Sequence, residues 1–147
     1  MSGGKIFIRK PTAEDAPTMC QWGRSTRELL VRQNGDWYSI KGLREWIRNP
    51  GSDVLLVAES NSELVGMCLV SVLHEWAYCS ALFVYKGYRG KGTGTKLLEE
   101  AMKHVRARGV HLFAFFVEED NVDAQKFYEK LDFRKGFKFV WMDKKLI

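Results

Sequence analysis

The stretch from Leu82 to Val117 allows this chain few folds. Leu82-Phe83-Val84-Tyr85 is a short apolar run suited to a strand, and Arg89-Gly90-Lys91-Gly92-Thr93-Gly94 is a basic turn with glycine at every second position. Behind it Leu97, Leu98, Ala101, Met102 and Val105 fall on one helical face, and Gly109 stands where a left-handed C′ residue is expected. Val110 to Val117 (VHLFAFFV) is a continuous apolar run, the pattern of a strand buried on both faces. Strand, helix and strand in this order make a βαβ unit, so the two strands are predicted to be parallel with a right-handed crossover.

The turn inside that unit is built for an anion. Glycine accepts positive φ and lets backbone approach a ligand, so several N–H groups can share one concavity. A helix starting directly behind adds unpaired N–H groups and a partial positive charge, and Arg89 and Lys91 add full ones. Two phosphate motifs are excluded. A Walker A loop needs glycine five positions before Gly90, where Tyr85 stands, and a dinucleotide fingerprint needs glycine at Thr95 or Leu97. An ordinary glycine-rich turn with solvated basic residues stays open on the hexapeptide alone.

A chain of 147 residues is about one domain. A net charge of +5 favours anionic partners without choosing among them. Cys20, Cys68 and Cys79 have no metal spacing and read as buried reduced thiols. The start MSGGKIFIRK has no apolar leader-like run, so the expectation is a soluble, cytoplasmic protein with no membrane segment.

Elsewhere, Lys5 to Lys10 alternates as a first strand, and Thr12 with Asp15 predicts a helix start running to about Arg24. Leu29, Leu30 and Val31 suggest helix, as does Ile40 to Arg48; the aromatics Trp37, Tyr38 and Trp46 are either core or a wall of a substrate site. Asp53 to Glu59 and Leu64 to Leu73 form a predicted hairpin, and Trp76 to Tyr85 is the strand entering the glycine-rich turn. Asn121 to Leu131 reads as a helix with Ala124, Phe127, Tyr128 and Leu131 inward, and Phe133 to Ile147 as one or two strands broken at Gly136.

Two of these segments resemble one family. The R-G-x-G-x-G turn is similar to the acetyl-CoA motif R/Q-x-x-G-x-G/A of the GNAT superfamily of N-acetyltransferases. Asn121-Val-Asp-Ala124-Gln-Lys-Phe127-Tyr128-Glu-Lys130-Leu-Asp-Phe133 resembles its second signature, N-x-x-A-x-x-F/L-Y-x-K-x-G-F, and departs from it at Asp132. The resemblance implies one α/β (α+β) domain over residues 1–147, with a mixed, mostly antiparallel sheet, helices on both faces and a central parallel βαβ unit. It implies a sheet split between residues 76–85 and 110–117 that takes acetyl-CoA as co-substrate. The pyrophosphate would lie on the N–H groups of Arg89, Gly90, Lys91, Gly92, Thr93, Gly94 and Thr95. The pantetheine arm would lie along Leu82, Phe83 and Val84, with a hydrogen bond from Asn121.

The chemistry so implied is direct attack of a neutral amine on the thioester. A backbone N–H near Phe83 or Val84 would meet the developing oxyanion, and Tyr128 would protonate the leaving thiolate. Where many members carry a glutamate this chain has Ser80, and at a second such place Phe116. Glu75 is therefore the candidate catalytic carboxylate, with Glu118, Glu119 and Asp36 as others. The expected partner is a small-molecule or peptide amine, with no nucleic acid or membrane, and the protein a monomer or homodimer. The alternative is a non-catalytic acyl-CoA-binding sensor or interaction module.

Overall fold

The structure is a computed structural model that describes residues 4–147; Met1 to Gly3, part of the segment expected to lack a leader, lie outside the described residues. Residues up to Phe115 and residues from Phe116 onward form two compact units.

In the first unit five strands lie side by side in chain order: β1 (Phe7–Arg9), β2 (Val54–Ser60), β3 (Glu63–Leu73), β4 (Trp76–Val84) and β5 (Leu112–Ala114). The first four pair antiparallel, and β5 joins β4 in parallel, as the βαβ reading requires. The β2–β3 hairpin closes through Asn61 and Ser62, both left-handed (φ 50° and 65°), which matches the right-handed twist of the strands. Three helices belong to this unit: α1 (Ala16–Ser25), α2 (Ile40–Arg48) and α3 (Thr93–Ala107).

Strand alternation sends side chains to two helical layers. Leu55, Val57, Met67, Leu69 and Ala81 pack with Met19, Cys20 and Trp22 of α1 and Leu43 of α2. The intervening Leu56, Cys68 and Val70 are equally buried, and α3 contributes Leu97, Leu98, Ala101 and Val105 to the unit's interior. Burying one such large aliphatic side chain is worth about 1.5–3 kcal/mol. The start of α1 is tied to the sheet by charge. Arg9 on β1 bonds Asp15 at 2.8 Å and Glu59 on β2 at 3.2 Å, and Asp15 also accepts the Thr12 N–H at 2.7 Å. Burial pushes the Asp15 carboxyl up, but Arg9 and Thr12 together hold it below the usual carboxylate range.

Three expectations need correction. The run Val110 to Val117 gives a strand of three residues, Leu112–Ala114, and Leu112 is 58% exposed rather than buried on both faces. The parallel ladder stops after the pairs 76–112, 77–113 and 78–114, so apolarity alone did not extend the strand. Leu29 to Val31 does not make a helix beyond a single 3-10 turn at Arg27–Leu29, because Leu30 is extended and Val31 N–H bonds Asp36 O across the Gly35 turn.

The third correction concerns the second unit. Residues 134–147 form no strand, and Phe137 and Val140 are almost fully exposed. Alternating apolar residues make a strand only where a ladder partner takes their backbone. This unit holds α4 (Val122–Glu129), capped by Asn121, whose Oδ1 accepts the Ala124 N–H at 3.2 Å. The helix stops at Glu129 rather than Leu131; Ala124, Phe127 and Tyr128 on it and Leu131 after it are half-buried, as is Gln125. Asp132, where the signature has glycine, itself takes the left-handed conformation (φ 68°), and Phe133 N–H closes onto Tyr128 O at 3.1 Å. Among the described residues no helix is long and apolar enough to cross a membrane.

Candidate active site

The glycine-rich turn opens where β4 ends. Tyr85 to Tyr88 close a tight turn (Tyr88 N–H to Tyr85 O, 2.9 Å), and the chain then runs through Arg89 to Gly92 into α3. Gly90 and Gly92 are left-handed (φ 74° and 84°), and a Cβ at either would meet nothing within 4 Å, so both look onto open space. Gly94 differs from expectation. It lies in the first turn of α3 without positive φ, so its part is an accessible N–H rather than a special backbone shape. The first bond of α3 runs from Lys96 N–H to Gly92 O at 3.0 Å, which leaves the N–H groups of Thr93, Gly94 and Thr95 at the open helix end.

The polar groups around the turn fit an anionic ligand. The Thr93 hydroxyl is buried, 1% exposed, and has no hydrogen-bond partner among the described residues. Such a group normally costs about 1–3 kcal/mol unless something pairs with it. Arg89 Nε donates to Val84 O at 2.8 Å with its guanidinium over the Phe83 ring, and Lys91 Nζ donates to Gly87 O at 3.3 Å. Both cations are thereby held beside the turn. A groove of about 730 Å³, lined in part by Trp22, Phe83, Tyr85 and Arg89, opens next to it.

Along β4 the structure brings the remaining donor-side residues of this unit into one line. The ladder to β5 ends at Tyr78, so Leu82, Phe83 and Val84 lie beyond the last parallel pair, on the stretch expected to face a split. Between them β4 carries an irregularity that sequence gave no sign of. Leu69 pairs with Ala81 and Val70 with Cys79, so Ser80 is the extra residue of a β-bulge. Its hydroxyl turns back to Leu69 O at 3.4 Å.

The candidate carboxylates fall elsewhere. Glu75 is exposed in the β3–β4 turn, next to left-handed His74, at the opposite end of β4 from the glycine-rich turn; its carbonyl accepts the His111 N–H at 2.8 Å. Asp36 pairs with Arg32 at 3.4 Å. In the second unit Glu119 pairs with Lys138, which holds its carboxyl below the usual range, and Gln125 donates to the Glu118 and Glu119 carbonyls. Tyr128 stands in α4 between Phe127 and Phe133, with ring centroids 5.1 and 5.8 Å away. The three cysteines are free and buried, as expected; Cys68 and Cys79 lie sulfur to sulfur at 3.9 Å across β3 and β4.

Comparison with known proteins adds a family to this geometry. The sequence model of the acetyltransferase (GNAT) family matches residues 18–133. The mycothiol acetyltransferase of Corynebacterium glutamicum (strain R) is 32% identical over 114 residues, which is 77% of this chain but 35% of that protein, so the chain spans about a third of its length. A transcriptional regulator from Bacillus halodurans superposes with a TM-score of 0.79 at 24% identity, covering 95% of this chain and 100% of that one. The PaiA N-acetyltransferase of Thermoplasma acidophilum, solved in complex with coenzyme A, superposes with a TM-score of 0.73 at 24% identity, covering 95% and 93%. These two likenesses establish the fold.

Proposed function

This chain belongs to the acetyltransferase (GNAT) family, and from that premise we propose that it moves an acetyl group from acetyl-CoA to the primary amine of a small molecule. The observation that carries the reading is the turn itself: two left-handed glycines open to space, the N–H groups of a helix end, and a buried Thr93 hydroxyl in want of a partner. Arg89 to Thr95 hold the pyrophosphate, and the backbone of Leu82, Phe83 and Val84 runs beside the pantetheine arm. Acetyl-CoA supplies an activated acyl group as its thioester. The chain's own residues do the rest. A backbone N–H near Phe83 or Val84 donates to the oxygen on which charge develops, in a site whose donors are already oriented. Tyr128 donates its phenolic proton to the departing sulfur. Asn121 assists in holding the arm while its Oδ1 caps α4. The amine's proton passes to solvent; Glu75, exposed at the opposite end of β4, has no part in that step. The mycothiol acetyltransferase, by its name, supports a small-molecule acceptor.

A second reading is a GNAT-like module that binds acyl-CoA without turnover. It is favoured by Ser80, an uncharged residue at the bulge where a carboxylate base is often found. Release of free thiol from acetyl-CoA, followed over a panel of amines, separates the two. Amine-dependent release supports the transferase; tight CoA binding with no release for any amine refutes it.

A further inference from the structure

The second unit carries an apolar strip that acetyl transfer, as described, leaves without a role. Phe137-Lys138-Phe139-Val140-Trp141-Met142 sets five large apolar residues around one lysine. Phe137, Val140 and Met142 are 89%, 86% and 85% exposed, and Phe139 and Trp141 are exposed by more than half. With half-exposed Phe116 they present about 800 Å² to solvent, taking roughly 150–250 Å² for each full side chain. The largest apolar patch on an ordinary monomer is about 300–600 Å². A stable interface takes about 800 Å² from each partner.

The strip is held in an extended form. The Phe116 ring meets the rings of Phe139 and Trp141 edge-on, with centroids 5.3 and 5.6 Å away, so these alternate residues share a face. Val140 and Met142 fall on the other face by the same alternation. Lys138 Nζ lies 2.6 Å from Glu119 Oε1, so the single charge within the strip is answered in its own chain. Among the described residues, the backbone N–H and C=O groups of Val140 and Met142 have no hydrogen-bond partner. An extended apolar segment with open backbone groups is a template for another strand.

We propose that this strip is the interface of a homodimer, with residues 137–142 of two copies paired antiparallel about a twofold axis. Such pairing sets the strip against itself, so apolar side chains meet apolar ones and the contact closes after two copies. It also supplies the ladder partner that residues 134–147 lack in the single chain. Arg134 and Lys135 precede the strip, and Lys144 and Lys145 follow it. Antiparallel pairing brings the basic end of one copy opposite the basic end of the other, so these charges oppose association. Salt screens them and therefore tightens the dimer. Docking of the same strip on an anionic surface, a phospholipid or a nucleic acid, has the opposite sign and weakens with salt. The inference does not depend on acetyl transfer.

Sedimentation equilibrium of the full chain at low and high salt, over about 1–100 μM protein, tests it. The expected result is the mass of two chains, with a lower dissociation constant at high salt. Val140→Lys combined with Met142→Lys places two charges on the open edge and raises that constant at least about 100-fold. Both side chains are exposed in the single chain, and an unchanged circular dichroism spectrum shows that the variant is folded. Phe7→Lys, on the short edge strand β1, is the control and leaves the dimer intact. A monomer at every concentration overturns the proposal, as does a dimer that Val140→Lys with Met142→Lys leaves unchanged. A dimer that salt weakens, or a series of larger assemblies, overturns it as well, because neither is a closed apolar pairing of this strip.

Discussion

Gly92→Glu tests the turn most sharply, because its structural and electrostatic effects can be reckoned apart. Gly92 is left-handed at φ 84°, and a Cβ there meets nothing within 4 Å, so the side chain itself displaces no protein atom. The stability cost is then the backbone alone, about 1–2 kcal/mol for a non-glycine residue in that region. A carboxylate at the start of α3 returns about 0.3–1 kcal/mol from the helix dipole. The net loss is about 1 kcal/mol, or roughly 2–4 °C in melting temperature for a chain of this size. Binding suffers far more. A negative charge about 4 Å from a phosphate costs roughly 4 kcal/mol at an effective dielectric of 20, and screening leaves about half of that in ordinary buffer. CoA affinity should therefore fall roughly 30-fold or more. Gly92→Ala has the same backbone strain without the charge and serves as the control. Isothermal titration calorimetry with CoA at low and high salt measures both. The expected result is a large loss for Glu that shrinks with salt and a much smaller, salt-independent loss for Ala. Equal affinity in the two variants, or parent-like affinity in Glu, refutes the assignment of the turn.

Three further outcomes follow from named contacts. Tyr128→Phe should lower kcat roughly 100-fold, the lower end of what a positioned acid supplies, while CoA affinity stays within about twofold; parent-like turnover reduces Tyr128 to a packing residue. Asp132→Gly should stabilise the protein by about 0.5–1 kcal/mol in chemical denaturation, since Asp132 holds a left-handed conformation that glycine takes freely; a loss would mean that the Asp132 side chain contributes more than its backbone costs. Asp15→Asn should cost about 1.5–3 kcal/mol at pH 7 through the Arg9 contact. The folded-state pKa of Asp15 is depressed, so this contribution is complete above the unfolded pKa of about 4 and disappears as pH falls further. Melting curves of parent and variant should converge toward pH 2–3, and a gap that persists there contradicts the ion-pair account.

The sequence carried the donor side of the site because that side is written in local rules. Glycine at 90 and 92 marks a backbone shape, apolar spacing from Leu97 to Val105 marks a helical face, and Gly109 marks where the helix stops; each needs only its own neighbours. The bulge at Ser80 depends instead on how β3 and β4 come into register, which no spacing within β4 reveals. The run after Ala114 and the tail from Phe137 onward fail in the same way. Their apolar pattern is that of strands, but a strand also needs a partner edge, and the pattern does not say whether one is present.

The central claim is that the turn behind β4 cradles the pyrophosphate of acetyl-CoA, and amide-resolved NMR during titration with CoA tests it most directly. The account predicts the largest shifts at the backbone amides of Arg89 to Thr95, with a second set along Leu82 to Val84. Saturating CoA that leaves those amides unmoved, or that shifts a different surface, contradicts it.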